Sequence, residues 1–415
     1  MKVLLIQHRN FLNGPGGTEK ICSFLANNFA KSGHEVEIAT NENIVGKAVF
    51  PLENNVKVTN IFNTDVIQKN LYVYINYKGK NPIKWVLFKL RKKKEKFLNK
   101  LLCMKMGGIE GIYKFNLKQR SEAWKCFIDE SSPDLIITMS ISSLLEITYQ
   151  NMYEIPLVNS VNGRPDYDYS DILWSRNNFE MFLLKESYKN LSAIQILFDN
   201  YRSYLPDEFA SKCITIPNPV IQIEKKDTVN HLEIKERYKI VNVASLVMEC
   251  KQQHLAIDIF MMIADRFPKW DLHFWGRGSD HDLLKEKVEA FGLTDRIFFN
   301  GFTENPLSEL KKSDIFIFPS KFEGFPLALT EAMSVGLPCI GFESCSGVNE
   351  LIKHLENGLL AKDKGQMRDY LEILMRNHLF RQSLGECAYL SVKQYDEKEV
   401  FKKWESLVNT YSRFY

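Results

Sequence analysis

The sequence predicts an α/β protein made of two successive Rossmann-like, parallel-sheet domains. Three observations lead there. Short apolar runs alternate with helical patterns along most of the chain, the rhythm of βαβ units. Several of those runs are apolar at every position, as strands covered on both faces are. The 415 residues also exceed what one ordinary core organises.

The elements follow in order. Residues 3–6 form a buried strand that ends in a polar loop, 7–18. Residues 19–32 carry Ile21, Phe24, Leu25 and Phe29 at helical spacing, and Gly33 stands where a left-handed C′ residue belongs. Residues 36–39 are the next strand, so the first forty residues make one βαβ unit. Further strands are expected at 135–138, 156–160, 194–197 and 213–216. Pro217-Asn218-Pro219 interrupts the pattern, and the charged stretch 222–236 is the best linker candidate. Beyond it strands at 240–244, 271–275, 297–299, 315–318 and 339–342 alternate with helices at 255–266, 282–291 and 328–335. The expected division is 1–218 and 219–397. Residues 400–411 place Phe401, Trp404 and Leu407 on one helical face. No convincing sequence repeat relates the halves.

Composition narrows the function. A hydrophobic content of 45% and a charged content of 25% are those of a globular protein. A net charge of +3 is small at this length, so a nucleic-acid partner is not expected. Eight scattered cysteines without a C-x-x-C pair read as reduced thiols, which suits a cytoplasmic location. The N-terminal apolar run is too short for a signal peptide, and no run approaches the roughly 18 residues of a membrane span. No histidine pair has metal-ligand spacing, and neither Asp166-Tyr167-Asp168 nor Asp280-His281-Asp282 makes a convincing metal motif; no metal or other cofactor is expected.

The most informative stretch runs from Phe316 to Met333. It reads as a buried strand, a tight loop bearing Glu323, and a helix that starts near Pro326 and contains Glu331. Proline suits the first helical position. The first-turn amides and the helix dipole then face the loop and suit a diphosphate. Two carboxylates beside that diphosphate suit the hydroxyls of sugars.

Glu323 and Glu331 have E-x7-E spacing, followed by Gly336-Leu337-Pro338. Here the chain resembles the retaining glycosyltransferases of the two-domain GT-B fold, often called family 4. The resemblance implies two Rossmann-like domains facing each other across a cleft, with the last helix (about 398–415) crossing back to the first, acceptor-binding domain. It implies that Glu323 holds donor-sugar hydroxyls, that Glu331 holds the ribose, and that the backbone of Gly324, Phe325, Pro326 and Leu327 approaches sugar and phosphate. Gly14-Pro15-Gly16-Gly17-Thr18-Glu19 fails as a dinucleotide fingerprint, because Glu19 sits at the third glycine. It matches the family's Gly-Gly-x-Glu opening, where Gly16 and Gly17 let amides reach the donor phosphate; a flexible loop is the alternative. Phe302 resembles a residue flanking the nucleotide base, and UDP is favoured by the resemblance alone.

Two positions depart from the family pattern. Ser245 stands where an arginine is usual, while Lys251, its diphosphate-binding companion, is kept one residue late. Either Arg277, in Gly276-Arg277-Gly278, supplies the second cation or the donor is held more weakly. Asn162 occupies the usual place of a histidine near sugar and acceptor. It cannot take a proton, which is tolerable if the leaving phosphate accepts the acceptor's proton on the same face.

The last feature lies at 84–105: nine lysines and arginines against Glu95, interleaved with Trp85, Val86, Leu87, Phe88 and Leu90, then Phe97, Leu98, Leu101 and Leu102. A helix here suits an anionic inner-leaflet surface or a polyprenyl-diphosphate-linked acceptor. The alternative is a solvated helix whose apolar residues face the core. The reading is thus a transferase that moves a sugar from a UDP-sugar to a glycan hydroxyl. A UDP-N-acetylhexosamine epimerase on the same scaffold, or a family member that binds without turnover, are the alternatives.

Overall fold

Runs of fully buried aliphatic and aromatic side chains, Val3 to Ile6, Leu135 to Ile137 and Ile315 to Ile317, form the centres of two parallel sheets. The computed structural model describes residues 1–74, 77, 79–173 and 175–411. In the first sheet the strands are β1 (Lys2–Ile6), β2 (Glu35–Thr40), β3 (Val56–Asn60), β4 (Leu135–Thr138), β5 (Leu157–Ser160), β6 (Ala193–Ile196) and β7 (Lys212–Thr215). They lie in the order β3-β2-β1-β4-β5-β6-β7. Leu4 of β1 stands opposite Glu37 of β2 and Ile136 of β4, both in parallel register.

The second sheet contains β8 (Tyr238–Val243), β9 (Trp270–Trp275), β10 (Ile297–Phe299), β11 (Ile315–Phe318), β12 (Cys339–Phe342) and β13 (Leu359–Ala361). Its order is β10-β9-β8-β11-β12-β13. Counted within its own sheet, each begins with the order 3-2-1-4-5-6, so strand addition reverses beside β1 and again beside β8. Ligands of open α/β sheets bind beyond the carboxyl ends of strands at such a reversal. Two positions are singled out in this way: the ends of β1 and β4, and the ends of β8 and β11.

The architecture is the expected pair of Rossmann-like sheets, and most strand positions agree within a residue or two. Two strands were not expected, β3 and β13. β3 is an edge strand whose residues are largely solvated and leaves no apolar run in the sequence; β13 is an apolar three-residue edge strand that the sequence reading did not single out. The stretch 222–236 is not a free tether. Val229 N–H donates to the Val335 carbonyl at 2.9 Å, the buried His231 ring meets the Gly336 carbonyl at 2.8 Å, and Lys235 pairs with Asp314 at 2.8 Å. Its polar residues have specific partners, which polarity alone does not reveal.

The chain forms two compact units. One comprises Met1–Ser160, Asp168–Ile194 and Pro206–Lys212; the other comprises Val161–Tyr167, Gln195–Leu205 and the chain from Cys213 on. The helix Glu397–Asn409 counts with the second and buries Val400, Trp404, Leu407 and Val408. No helix among the described residues is long and apolar enough to cross a membrane.

Each unit buries a histidine. Burial lowers the pKa of His8 and of His231 from 6.5 to about 4. Both are neutral in the fold, while the unfolded chain takes up protons below pH 6.5. Stability is therefore full above pH 6.5 and falls as pH drops towards 4, by up to about 1.4 kcal/mol per pH unit for each histidine. Urea unfolding at a series of pH values checks this, and His231→Gln should flatten the profile.

Candidate functional site

The loops that leave β8 and β11 run side by side. The N–H of Lys321 donates to the Cys250 carbonyl at 2.8 Å, tying the loops together through their backbones. That contact brings Lys251, at the end of the one-turn helix Met248–Lys251, to the carboxylate of Glu323. Lys251 Nζ lies 2.6 Å from Glu323 Oε1, and the Glu323 side chain is only 10% exposed. Such a part-buried pair is less screened than a surface one. One acceptor for hydroxyls and one cation for an anion thus touch at the second sheet's reversal point.

The Glu323 loop is held by close backbone contacts. A Cβ at Gly324 would stand 2.3 Å from the Asn162 carbonyl oxygen and 2.5 Å from the Gly163 Cα. On another side Gly347, at φ +78°, leaves no room for a Cβ, which would lie 2.2 Å from the Gly324 oxygen. The Tyr201 hydroxyl donates to that same carbonyl at 3.1 Å and stands 2.8 Å from Ser346 Oγ. Burial raises the pKa of this phenol, so it keeps its proton. Phe325 stacks on Phe198 at 5.5 Å and meets Tyr395 edge-on, while Phe322 meets Tyr167 edge-on. Asn162 is thereby brought to the loop. Tyr201, Ser346 and Gly347 are the members that the sequence reading missed, since no local motif links them to Glu323.

After the loop comes the helix Leu327–Ser334. Pro326 is its N-cap, φ −69°, one place before the expected first helical position. Its carbonyl accepts from the amides of Leu329 and Thr330, both at 3.1 Å. The amides of Leu327 and Ala328 are the helix's first two, which have no acceptor within it, and they carry the positive end of its dipole. Glu331 is buried one turn further on.

Ser245 and Arg277 are neighbours. Leu246 N–H donates to the Arg277 carbonyl at 3.0 Å, and Gly276 N–H donates to the Gly301 carbonyl at 2.7 Å. Gly276, at φ +146°, permits this approach, since a Cβ would stand 1.9 Å from the Ala244 oxygen. The loops after β8, β9 and β10 are thus laced into one rim. The Arg277 guanidinium lies 5.9 Å from the centre of the exposed Phe302 ring. Both side chains of interest at this rim, Arg277 and Phe302, are solvent-accessible.

Gly16 and Gly17 lie in the first unit. Gly16 caps the helix Gly17–Lys31, and its own N–H is held by the carboxylate of Glu19. A Cβ at Gly16 would stand 2.3 Å from Glu19 Oε2, so glycine there has a cause inside the loop. Glu19 is buried, accepts from the Gln7 amide, and is raised in pKa by burial. At the first sheet's reversal point His8 Nδ1 lies 2.9 Å from Ser143 Oγ, beside the part-buried pair Arg120–Glu146. This cluster also escaped the sequence reading, because a lone histidine after a strand carries no spacing signal.

Comparison with known proteins bears on the second unit above all. Residues 224–391 match the family model described as Glycosyl transferases group 1. An uncharacterised glycosyltransferase of Haemophilus influenzae is 27% identical over 197 residues, which is 47% of this chain and 54% of that protein. The poly(glycerol-phosphate) alpha-glucosyltransferase of Bacillus subtilis is 27% identical over 176 residues, 42% of this chain and 26% of that protein. The chain thus spans about half or less of these relatives' length. The pneumococcal O-GlcNAc transferase GtfA, solved with UDP and GlcNAc, superposes with a TM-score of 0.73 over 100% of this chain and 99% of that one, at 13% identity. The chain therefore has the GT-B fold, and through residues 224–391 it is similar to the group 1 glycosyl transferases.

Proposed function

We propose that the protein is a retaining glycosyltransferase that moves a sugar from a UDP-sugar to a hydroxyl of a glycan acceptor. The contact between Lys251 and Glu323 at the end of β8 and β11 carries this reading, since it joins a hydroxyl acceptor to a phosphate-binding cation. Its position inside the matched stretch, and UDP in a solved structure of the same fold, support it.

In this reading Glu323 accepts from donor-sugar hydroxyls and so frees Lys251 for the diphosphate. Lys251, with the first amides of the helix Leu327–Ser334, stabilises the charge that develops as the bond from the anomeric carbon to phosphate breaks. Arg277 replaces the cation missing at Ser245, Phe302 packs on the base, and Glu331 holds the ribose. Gly324, Phe325, Pro326 and Leu327 line the sugar and phosphate, Gly16 and Gly17 approach the phosphate, and Asn162 contacts sugar or acceptor. The acceptor oxygen attacks the same face, its proton passes to the departing phosphate oxygen, and UDP leaves. No step uses a metal. The acceptor is a surface-polysaccharide intermediate on a polyprenyl diphosphate, met at the cytoplasmic face. Ser245 favours one other reading, a nucleotide-sugar-binding protein without turnover.

Release of nucleoside diphosphate across a panel of UDP- and GDP-sugars separates the two. One UDP-sugar should be turned over, with transfer when acceptor is added; donor binding without any release would leave the binding protein. Glu323→Ala should lower turnover with an unchanged unfolding midpoint, and wild-type rates at saturating donor would remove it from the site. Lys251→Ala, which loses the charge on the leaving group, should lower turnover about 100- to 1,000-fold. Tyr201→Phe removes a single hydrogen bond to the Gly324 carbonyl, worth about 1 kcal/mol. It should lower turnover about fivefold, an effect read as a change in kcat rather than in acceptor KM.

A further inference from the structure

The helix Pro82–Met106 is turned inside out relative to an ordinary surface helix. Its buried residues are polar. Glu95 pairs with Arg91 at 2.7 Å, and the Asn99 amide clasps a backbone segment, accepting from Tyr72 N–H at 2.9 Å and donating to the Tyr72 carbonyl at 3.0 Å. Facing outward are Ile83, Leu87, Leu90, Phe97, Leu101 and Met104, exposed by between 42% and 71%. At 100° per residue these six fall within a stripe of about 100°, opposite Asn99; exposed Val86 lies at its edge and exposed Trp85 outside it. Exposed lysines border the stripe, with Lys89, Lys93, Lys96 and Lys100 on one side and Lys84 with Arg91 on the other. The helix carries nine cations against Glu95 alone.

We infer that this face seats on an anionic phospholipid surface, with the helix in the membrane plane. An exposed apolar stripe of this size, interrupted by Lys94 alone near its middle, marks an interaction site on a soluble protein. Charge decides the occupant. Two copies meeting through this face would set nine cations against nine, which repel. A bilayer accepts the apolar side chains among its acyl chains, while the bordering lysines extend along the helix to reach the phosphates. The surface belongs to the first unit alone and goes beyond the transferase reading, on which it does not depend.

The test is co-sedimentation of the whole protein with vesicles of phosphatidylglycerol and phosphatidylethanolamine, against vesicles of phosphatidylcholine. Binding should be confined to the anionic vesicles and should weaken about fivefold for each of Lys89, Lys93, Lys96 and Lys100 changed to Gln. Leu90→Glu with Phe97→Glu should abolish it at an unchanged urea midpoint. On the wild-type protein, vesicles should slow amide hydrogen exchange across residues 82–106, which guards against a misfolded variant. Absent or composition-independent binding would overturn the inference, as would attraction insensitive to the Leu90 and Phe97 changes. A dimer that Leu90→Glu dissociates would replace the membrane with a second copy. None of these readings uses a sugar donor, so they stand or fall apart from the transferase proposal.

Discussion

Glu323 faces Lys251 because the backbone at Gly324 is wedged between two others. The carbonyl of Asn162 closes on it from one side and Gly347 from the other, each at a distance that excludes a Cβ. The loop cannot retreat from β8 without opening both contacts, so the carboxylate is presented at one place. Tyr201 adds a directional restraint by bonding the Gly324 carbonyl, and the stacked Phe198 and Phe325 fill the space beneath. Preorganisation of this kind matters where charge must be met without rearrangement.

The same logic recurs around the rim. Gly276 lets the β9 loop press on Ala244, which sets Arg277 beside Ser245. Sheet topology supplies the larger frame, since reversal of strand addition beside β8 leaves the carboxyl ends of β8 and β11 adjacent. Glycine serves at these points as a steric permission for close approach, and the chemistry rests with the residues next to it. In the first unit Gly16 plays that part against the buried carboxylate of Glu19.

The helix Pro82–Met106 shows the opposite arrangement, in which polar groups are spent inward and apolar ones are left outside. Asn99 is satisfied by backbone, so its burial costs little, and the segment around Tyr72 gains a fixed partner. The exposed stripe is then a standing feature of the fold and does not depend on partial unfolding.

Much of this was legible in the sequence for definite reasons. Apolar runs such as Val3 to Ile6 and Ile315 to Phe318 have one stable use, a covered strand, and βαβ spacing makes the sheets parallel. Strand, loop and helix cap are local patterns, so the loop position of Glu323 and the helix start near Pro326 could be read directly, whereas Lys251 was singled out only by the resemblance. The register of the Pro326 cap was read one residue off, since a proline's fixed φ suits both positions. The edge strand β3 was missed because a solvated strand leaves no apolar signature. What only tertiary structure decided are the meetings of distant segments. Tyr201 with Gly324 lies 123 residues apart and His8 with Ser143 lies 135 apart, and spacing says nothing about either. Composition identified the basic helix, but which of its faces meets solvent depends on what the rest of the chain offers for packing. Here it offered the Tyr72 backbone to Asn99, and that contact turned the apolar stripe outward.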